Sequence, residues 1–283
     1  MTDRKKFLGA SDAAAALGLS RWKTPIELWA EKTGQIEPPV VDSEAAELGK
    51  GLEDYVAKRF STKTGKAVHR VNEHRFHKAF PYLAAQIDRK VEGENAVLEC
   101  KTASGWKAKE WSGEEIPQEY IIQCHHQLSV TGYDKAYLAV LIGNQDFKIR
   151  EILRDEKIIE DLVKKEIEFW AYVRNKMMPE IVMPKDDDVL YQLFPQMTAG
   201  EDVALKDEAN ILIEGIQAMI QDKIALEDQI DKSKNELKVM LKEAEQGHTK
   251  LWRVTWKDQV GSTYTVERKP TRVLRYKRII KEE

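Results

Sequence analysis

The residues best equipped for chemistry lie in the run Val97-Leu98-Glu99-Cys100-Lys101. On a β-strand successive side chains point to opposite faces, so Glu99 and Lys101 project together while Leu98 and Cys100 pack behind. A carboxylate then stands beside an ammonium. A second carboxylate, Asp88, closes the apolar stretch Tyr82-Leu83-Ala84-Ala85-Gln86-Ile87. Two hard oxygen donors can hold a divalent cation, and an adjacent lysine can polarise water or phosphate. Those are the parts of metal-assisted phosphodiester hydrolysis. An acid followed by Glu-x-Lys also arises by chance on any charged strand, so the elements that position these residues decide what the pattern means.

Ser11-Asp12 before an alanine-rich turn ending at Leu17-Gly18 reads as an N-capped short helix closed by glycine. Thr24-Pro25-Ile26-Glu27 is a capping box with proline at the first helical position, and that helix stops at Gly34. Ser43 can cap a longer helix to Thr64, with Leu48, Leu52, Tyr55, Val56 and Phe60 at helical spacing and Glu53 beside them. Gly49 and Gly51 lower the helix propensity of its first turns, which a close approach of backbone or ligand would explain, as would a flexible helix start. Strand-like pieces follow at Ala67 to Val71, Leu83 to Val91 and Ala96 to Thr102, the last two joined by Gly93-Glu94-Asn95 as a hairpin. Asp88 and Glu99 are therefore expected on neighbouring strands. Gln118 to Gly132 reads as a helix whose Tyr120, Gln123 and Gln127 make one face polar. Strands at Lys135 to Ile142 and Phe147 to Leu153 and an amphipathic helix from Asp155 to Lys176 complete the pattern. Helices before, between and after strands indicate an α/β (α+β) fold with a central mixed sheet flanked by helices.

Pro179, Pro184, the acidic run Asp186 to Asp188 and Pro195 interrupt regular structure. The expected organisation is a core over 1–178, a linker over 179–200 and a C-terminal extension over 201–283. In the extension, apolar residues from Ala209 to Ala244 alternate spacings of three and four, a coiled-coil-like seam broken at Lys223 and Ser233. Such a seam serves assembly, a partner or packing within the chain. Leu251 to Tyr264 and Val273 to Ile280 read as a small β unit, and from His248 onward ten Lys or Arg face four Asp or Glu. That local excess favours nucleic acid or forms a solvated face.

Composition sets the outer bounds. With 283 residues, 33% charged and 42% hydrophobic, the chain is long enough for one large domain or a domain with an appendage. The net charge of -3 excludes little, because only the groove that follows phosphates must be positive. Cys100 and Cys124 are too few for a disulfide framework or a zinc site and read as buried thiols. No stretch resembles a signal peptide or membrane span, so a cytoplasmic, reducing location is expected. His69, His74, His77, His125 and His126 form no convincing metal site and are read as surface histidines. Trp106 and Trp111 either stack on unpaired bases or pack on the domain edge.

Taken in order, Phe7-Leu8-Gly9-Ala10-Ser11, Leu48-Gly49-Lys50-Gly51-Leu52-Glu53, Ile87-Asp88, Leu98-Glu99-Cys100-Lys101 and Tyr120-Ile121-Ile122-Gln123 resemble the YqaJ viral recombinase family of the PD-(D/E)xK nuclease superfamily, which includes phage lambda exonuclease. The resemblance covers roughly residues 4 to 175. In place of the family's Pro-Asp, Gln86-Ile87 stand before Asp88.

The resemblance implies a restriction-endonuclease-like core. It also implies that Asp88, Glu99 and the backbone carbonyl of Cys100 bind Mg²⁺ or Mn²⁺, and that Lys101 orients or deprotonates water. Glu53 would assist a second metal or its waters, and Gln123 would support the site. By the same resemblance Arg4, Ser11 and Lys107 would hold a 5′-phosphate, with Tyr120 also on the DNA. The implied activity is an exonuclease digesting one strand of duplex DNA ends, 5′ to 3′, in single-strand-annealing recombination. A ring-shaped homotrimer and an annealing protein as partner are implied as well. An endonuclease with the same metal core and a non-catalytic DNA-binding scaffold are the alternatives. Two cysteines cannot supply the four that an iron–sulfur relative needs.

Overall fold

The strand carrying Glu99 and Lys101 runs through the core, where Ala96, Val97 and Leu98 are wholly buried. Burying a Val or Leu side chain stabilises by about 2 kcal/mol. The structure, a computed structural model, describes residues 3–38, 44–143, 145–180, 183–261, 263, 265 and 274–276. Its chain divides into two units, Met1–Pro195 and Gln196–Glu283.

In the first unit the elements run β1 (Leu8–Gly9), α1 (Ala13–Ala16), α2 (Pro25–Thr33), α3 (Glu44–Thr64), β2 (Val68–Arg70), β3 (Arg75–Phe76), β4 (Leu83–Ala85), β5 (Arg89–Val91) and β6 (Ala96–Ala103). They continue with α4 (Gln118–Thr131), β7 (Lys135–Ile142), β8 (Asp146–Leu153), α5 (Glu156–Asn175) and α6 (Asp187–Leu193). The main sheet is mixed and ordered β2-β5-β6-β7-β8. Strand β6 runs parallel to β7, with Glu99 opposite Leu138 and Lys101 opposite Val140. The β5–β6 pair is antiparallel, as the hairpin reading expects. A second sheet, β1-β4-β3, has β1 parallel to β4.

One core packs α2, α4 and α5 against β4 and β6–β8 through Leu28, Trp29, Cys124, Leu128, Val97, Leu138 and Phe169. A separate cluster seats α3 on the opposite side of β6 and β7 through Val56, Ala57, Phe60, Leu98 and Tyr137. Thus β6 is covered on both faces, and its middle is held rigidly. Both cysteines are free and buried.

Several local readings are met. Thr24 accepts from the Glu27 amide and Gly34 ends α2 at φ 75°, while Asp155 caps α5. Others are corrected. Leu83 to Val91 is not one strand: it splits into β4 and β5, which belong to different sheets, and Asp88 lies in the connection between them. Leu48 and Tyr55 are half exposed, so α3 buries only Val56, Ala57 and Phe60. The expected cap of α3, Ser43, lies outside the described residues. Asp12 does not cap α1 with its side chain, since its carboxylate is drawn to Gly9 and Lys32 instead. Between Pro179 and Pro195 the chain forms α6, which buries Val189 in the main core.

In the second unit α7 (Glu208–Leu241) is a single long helix, none of whose residues is buried. It is followed by β9 (Gln246–His248) and β10 (Arg253–Thr255), an antiparallel pair. Of the strand expected over Val273 to Ile280, Val273 and 277–280 lie outside the described residues, and Leu274 to Tyr276 are in no strand. Among the described residues no helix is long and apolar enough to cross a membrane.

Candidate active site

Four segments converge on one cleft. Strand β6 supplies Glu99, the β4–β5 connection supplies Asp88, α3 supplies Glu53 and α4 supplies Gln123; Lys101, also on β6, is not among the lining residues and reaches the site through Glu99. Glu53, Asp88, Glu99 and Gln123 line a cleft of about 740 Å³ together with Arg4 and Ser11.

Glu99 is buried and held from three directions. Gln123 and Gln127 each donate to one of its oxygens at 2.6 Å, and the Lys101 ammonium stands 2.7 Å from Oε1. Asp88 accepts the Cys100 N–H at 2.8 Å. This bond ties the β4–β5 connection to the site strand. Arg89, itself buried, donates to the Asp88 carbonyl at 2.6 Å and pairs with Asp54 on α3. Gly49 explains how α3 comes so close: a Cβ there would meet Thr102 Oγ1 on β6 at 3.2 Å. Gly51 meets nothing within 4 Å.

These contacts set the charges. Burial, then the neighbouring Glu99 carboxylate and finally Glu53, push Asp88 up to about 7, against the pull of the Cys100 amide and Lys101. Burial works to lower the Lys101 pKa, but Glu99 and Asp88 outweigh it and the net shift is upward. The lysine therefore stays an ammonium. Burial and both carboxylates drive the Cys100 thiol upward, so it is neutral and packs rather than reacts.

The donors fit a hard divalent cation. Two crowded carboxylates, one pushed far above its usual range, are what such a cation would relieve, and all the offered atoms are oxygens. Among the described residues no group of three His, Cys, Asp or Glu side chains is placed to hold a metal by itself. Asp88 and Glu99 line the cleft together and could hold one, with water completing the shell, as magnesium commonly permits.

Of the residues implied for the 5′-phosphate, Arg4 and Ser11 are together: Arg4 Nη2 donates to Ser11 Oγ at 3.2 Å. Beneath them the buried Lys32 binds Asp12 at 2.7 Å and the Arg4 carbonyl at 2.9 Å. Lys107 is not among the residues lining this cleft; its ammonium lies 4.2 Å over the Trp22 ring. Tyr120 is half-buried, stacked on Trp111 at 5.6 Å, with its ring 5.7 Å from Lys101 Nζ. Trp111 is thereby buried and unable to meet a base.

The surface reading of the histidines fails for His125 and His126, both buried. His126 contacts Glu166 at 2.6 Å and the Ala84 carbonyl at 3.0 Å. Gln127, which donates to Glu99, is a site residue that the resemblance leaves without a role. Its place one helical turn beyond Gln123, on the same polar face, was the available signal. Lys32 left no such signal.

A sequence profile of the YqaJ-like viral recombinase domain matches residues 1–134, which contain Glu53, Asp88, Glu99, Lys101 and Gln123. The uncharacterized protein YqaJ of Bacillus subtilis (strain 168) is 37% identical over 269 residues, spanning 93% of this chain and 83% of the relative. Among solved structures, an alkaline exonuclease from Laribacter hongkongensis aligns with a TM-score of 0.54 at 19% identity, over 62% of this chain and 91% of that one. The same exonuclease in complex with dAMP aligns at 0.53 and 20% identity, over the same shares. The two structures share the fold, and identity over nearly the whole length carries the kinship: the chain belongs to the YqaJ-like viral recombinase family.

Proposed function

We propose that this protein is a divalent-metal-dependent deoxyribonuclease that digests one strand of linear duplex DNA from its end, 5′ to 3′, to expose single strands for annealing-type recombination. The observation that carries the reading is the meeting of Asp88, Glu99 and Glu53 with the Arg4–Ser11 pair on one cleft. A scissile phosphate and a terminal phosphate would have partners in the same space. The exonuclease activity of the Laribacter hongkongensis protein, which has this fold, supports it.

Asp88, Glu99 and the Cys100 carbonyl would hold Mg²⁺ or Mn²⁺, with Glu53 reaching a second ion or its waters. Bound there, the metal supplies Lewis acidity to the attacking and leaving oxygens of the phosphodiester. Gln123 and Gln127 fix the Glu99 carboxylate so that its lone pairs keep one direction. Lys101, 2.7 Å from Glu99 and held charged in the metal-free chain by that carboxylate and Asp88, orients water and offsets charge on the phosphate. Arg4 offers a forked donor set and Ser11 a hydroxyl to a terminal phosphate. The strand polarity, the annealing partner and a ring-shaped assembly belong to this proposal through family resemblance.

The test is digestion of duplex DNA labelled separately at each end, with and without Mg²⁺ and with the 5′-phosphate removed, beside a closed circular duplex. The expected result is Mg²⁺-dependent release from the 5′ end, slowed by loss of the phosphate. Rapid cutting of the circle would make the enzyme an endonuclease, and no digestion with either Mg²⁺ or Mn²⁺ would overturn the reading.

A further inference from the structure

Trp106 is 97% exposed. Scattered apolar residues on a surface are ordinary, but this indole differs in its support, its neighbours and its position. It sits on the turn Gly105–Trp111, which leaves β6 only four residues after Lys101. The turn is anchored. Ser104 Oγ accepts the Trp106 N–H at 3.2 Å, and the Ser104 carbonyl accepts the Lys107 N–H at 2.9 Å. Behind it the Gly143 N–H donates to the Ala103 carbonyl at 2.7 Å, and a Cβ on Gly143 would lie 3.5 Å from Gly105. The exposed ring is thus presented by a fixed backbone, so little ordering entropy is lost when something stacks on it.

Charges of both signs lie around the turn, with Lys107 and Lys109 on it and Glu110, Glu114 and Glu115 close after them in sequence. Lys107 follows directly and is held over Trp22, whose ring also has the Arg21 guanidinium 5.9 Å away. Arg21 in turn pairs with Glu110 at 2.9 Å and Glu119 at 2.6 Å, which offsets the two nearby carboxylates. The far end of the turn leads into the site, since Trp111 stacks on Tyr120, and Tyr120 borders Lys101. An apolar face fully open to solvent, on a turn that follows the site strand and carries a lysine at the next position, suits a nucleic-acid strand with exposed bases.

We propose that Trp106 is a stacking platform for an unpaired base of single-stranded DNA next to the cleft, with Lys107 facing the adjoining backbone phosphate. The inference rests on the nuclease reading and adds a binding site to it. Every base has a π-face, so the platform is tolerant of sequence.

The experiment is fluorescence anisotropy of a labelled single-stranded oligothymidylate with the full chain, in Ca²⁺, for wild type, Trp106→Ala and Trp106→Phe. Thermal unfolding, sedimentation and Mg²⁺-dependent digestion of duplex DNA are measured alongside. Trp106→Ala is expected to weaken oligonucleotide binding about five-fold or more, Trp106→Phe to restore most of it, and the unfolding midpoint to stay put. Equal binding by wild type and Trp106→Ala overturns the platform, even where wild type digests DNA and the nuclease reading stands. A Trp106→Ala variant that changes oligomeric state while binding the oligonucleotide normally makes the indole a contact between copies and also overturns it. Weakened binding in a chain that digests nothing would sustain the platform while removing the nuclease.

Discussion

Asp88 and Glu99 are both acids on the same cleft, yet the chain treats them oppositely. Glu99 has two amide donors and a lysine, whereas Asp88 has one backbone N–H and is pushed up to about 7 by burial and by Glu99. A folded-state pKa above the unfolded value of 3.8 means that the stability tied to this group is present at low pH. It is lost as pH rises from about 4 to about 7. Without metal at pH 8, Asp88→Asn is therefore expected to stabilise the protein by about 2–4 kcal/mol, measured by urea unfolding in chelator, while abolishing digestion. A less stable variant would mean that Asp88 is not under repulsion. Asp88→Ala and Lys101→Ala are expected to lose Mg²⁺-dependent digestion while keeping DNA binding in a filter or anisotropy assay. Gln127→Ala, which frees one Glu99 oxygen, should raise the Mg²⁺ concentration needed for half-maximal digestion about 10- to 100-fold. An unchanged Mg²⁺ titration would reduce Gln127 to a packing residue.

Helix α4 is the element on which the site depends, because its side chains reach three others. Gln123 and Gln127 hold β6, and His126 joins α5 through Glu166 and β4 through the Ala84 carbonyl. With the Glu166 carboxylate and the Ala84 carbonyl facing its two ring nitrogens, an imidazolium donates to both. Burial opposes that charge, but Glu166 and the Ala84 carbonyl carry the pKa upward. A histidine pKa raised on folding gives stability that is full below the unfolded value and is lost as pH rises through the folded one. His126→Ala leaves Glu166 buried without its partner and is expected to cost about 3–5 kcal/mol. Glu166→Gln should remove the pair's share of the pH dependence between about 6.5 and the folded pKa. Both are read by denaturant unfolding across pH, and a loss under about 1 kcal/mol for His126→Ala would show that the pair does not brace the sheet.

Over the whole molecule, every implied catalytic residue falls in Met1–Pro195. A chain ending at Pro195 is expected to unfold in one cooperative step and to keep Mg²⁺-dependent digestion within about ten-fold; failure to fold would show that the second unit is needed for the first. Helix existence was legible because caps and glycines such as Thr24, Gly34 and Gly132 act locally, through bonds within a few residues. The order Glu53, Asp88, Glu99, Lys101 and Gln123 was likewise legible, since it is a property of the chain itself. Tertiary structure alone decided that Leu83 to Val91 breaks between two sheets, for strand pairing is set by partners far away in sequence. It also decided that Lys107 lies on Trp22 and outside the cleft lining that holds Arg4, that His126 is buried with Glu166, and that Trp106 faces solvent while Trp111 does not. Burial and charge pairing are sums over neighbours from distant segments, and no local run of residues contains those neighbours.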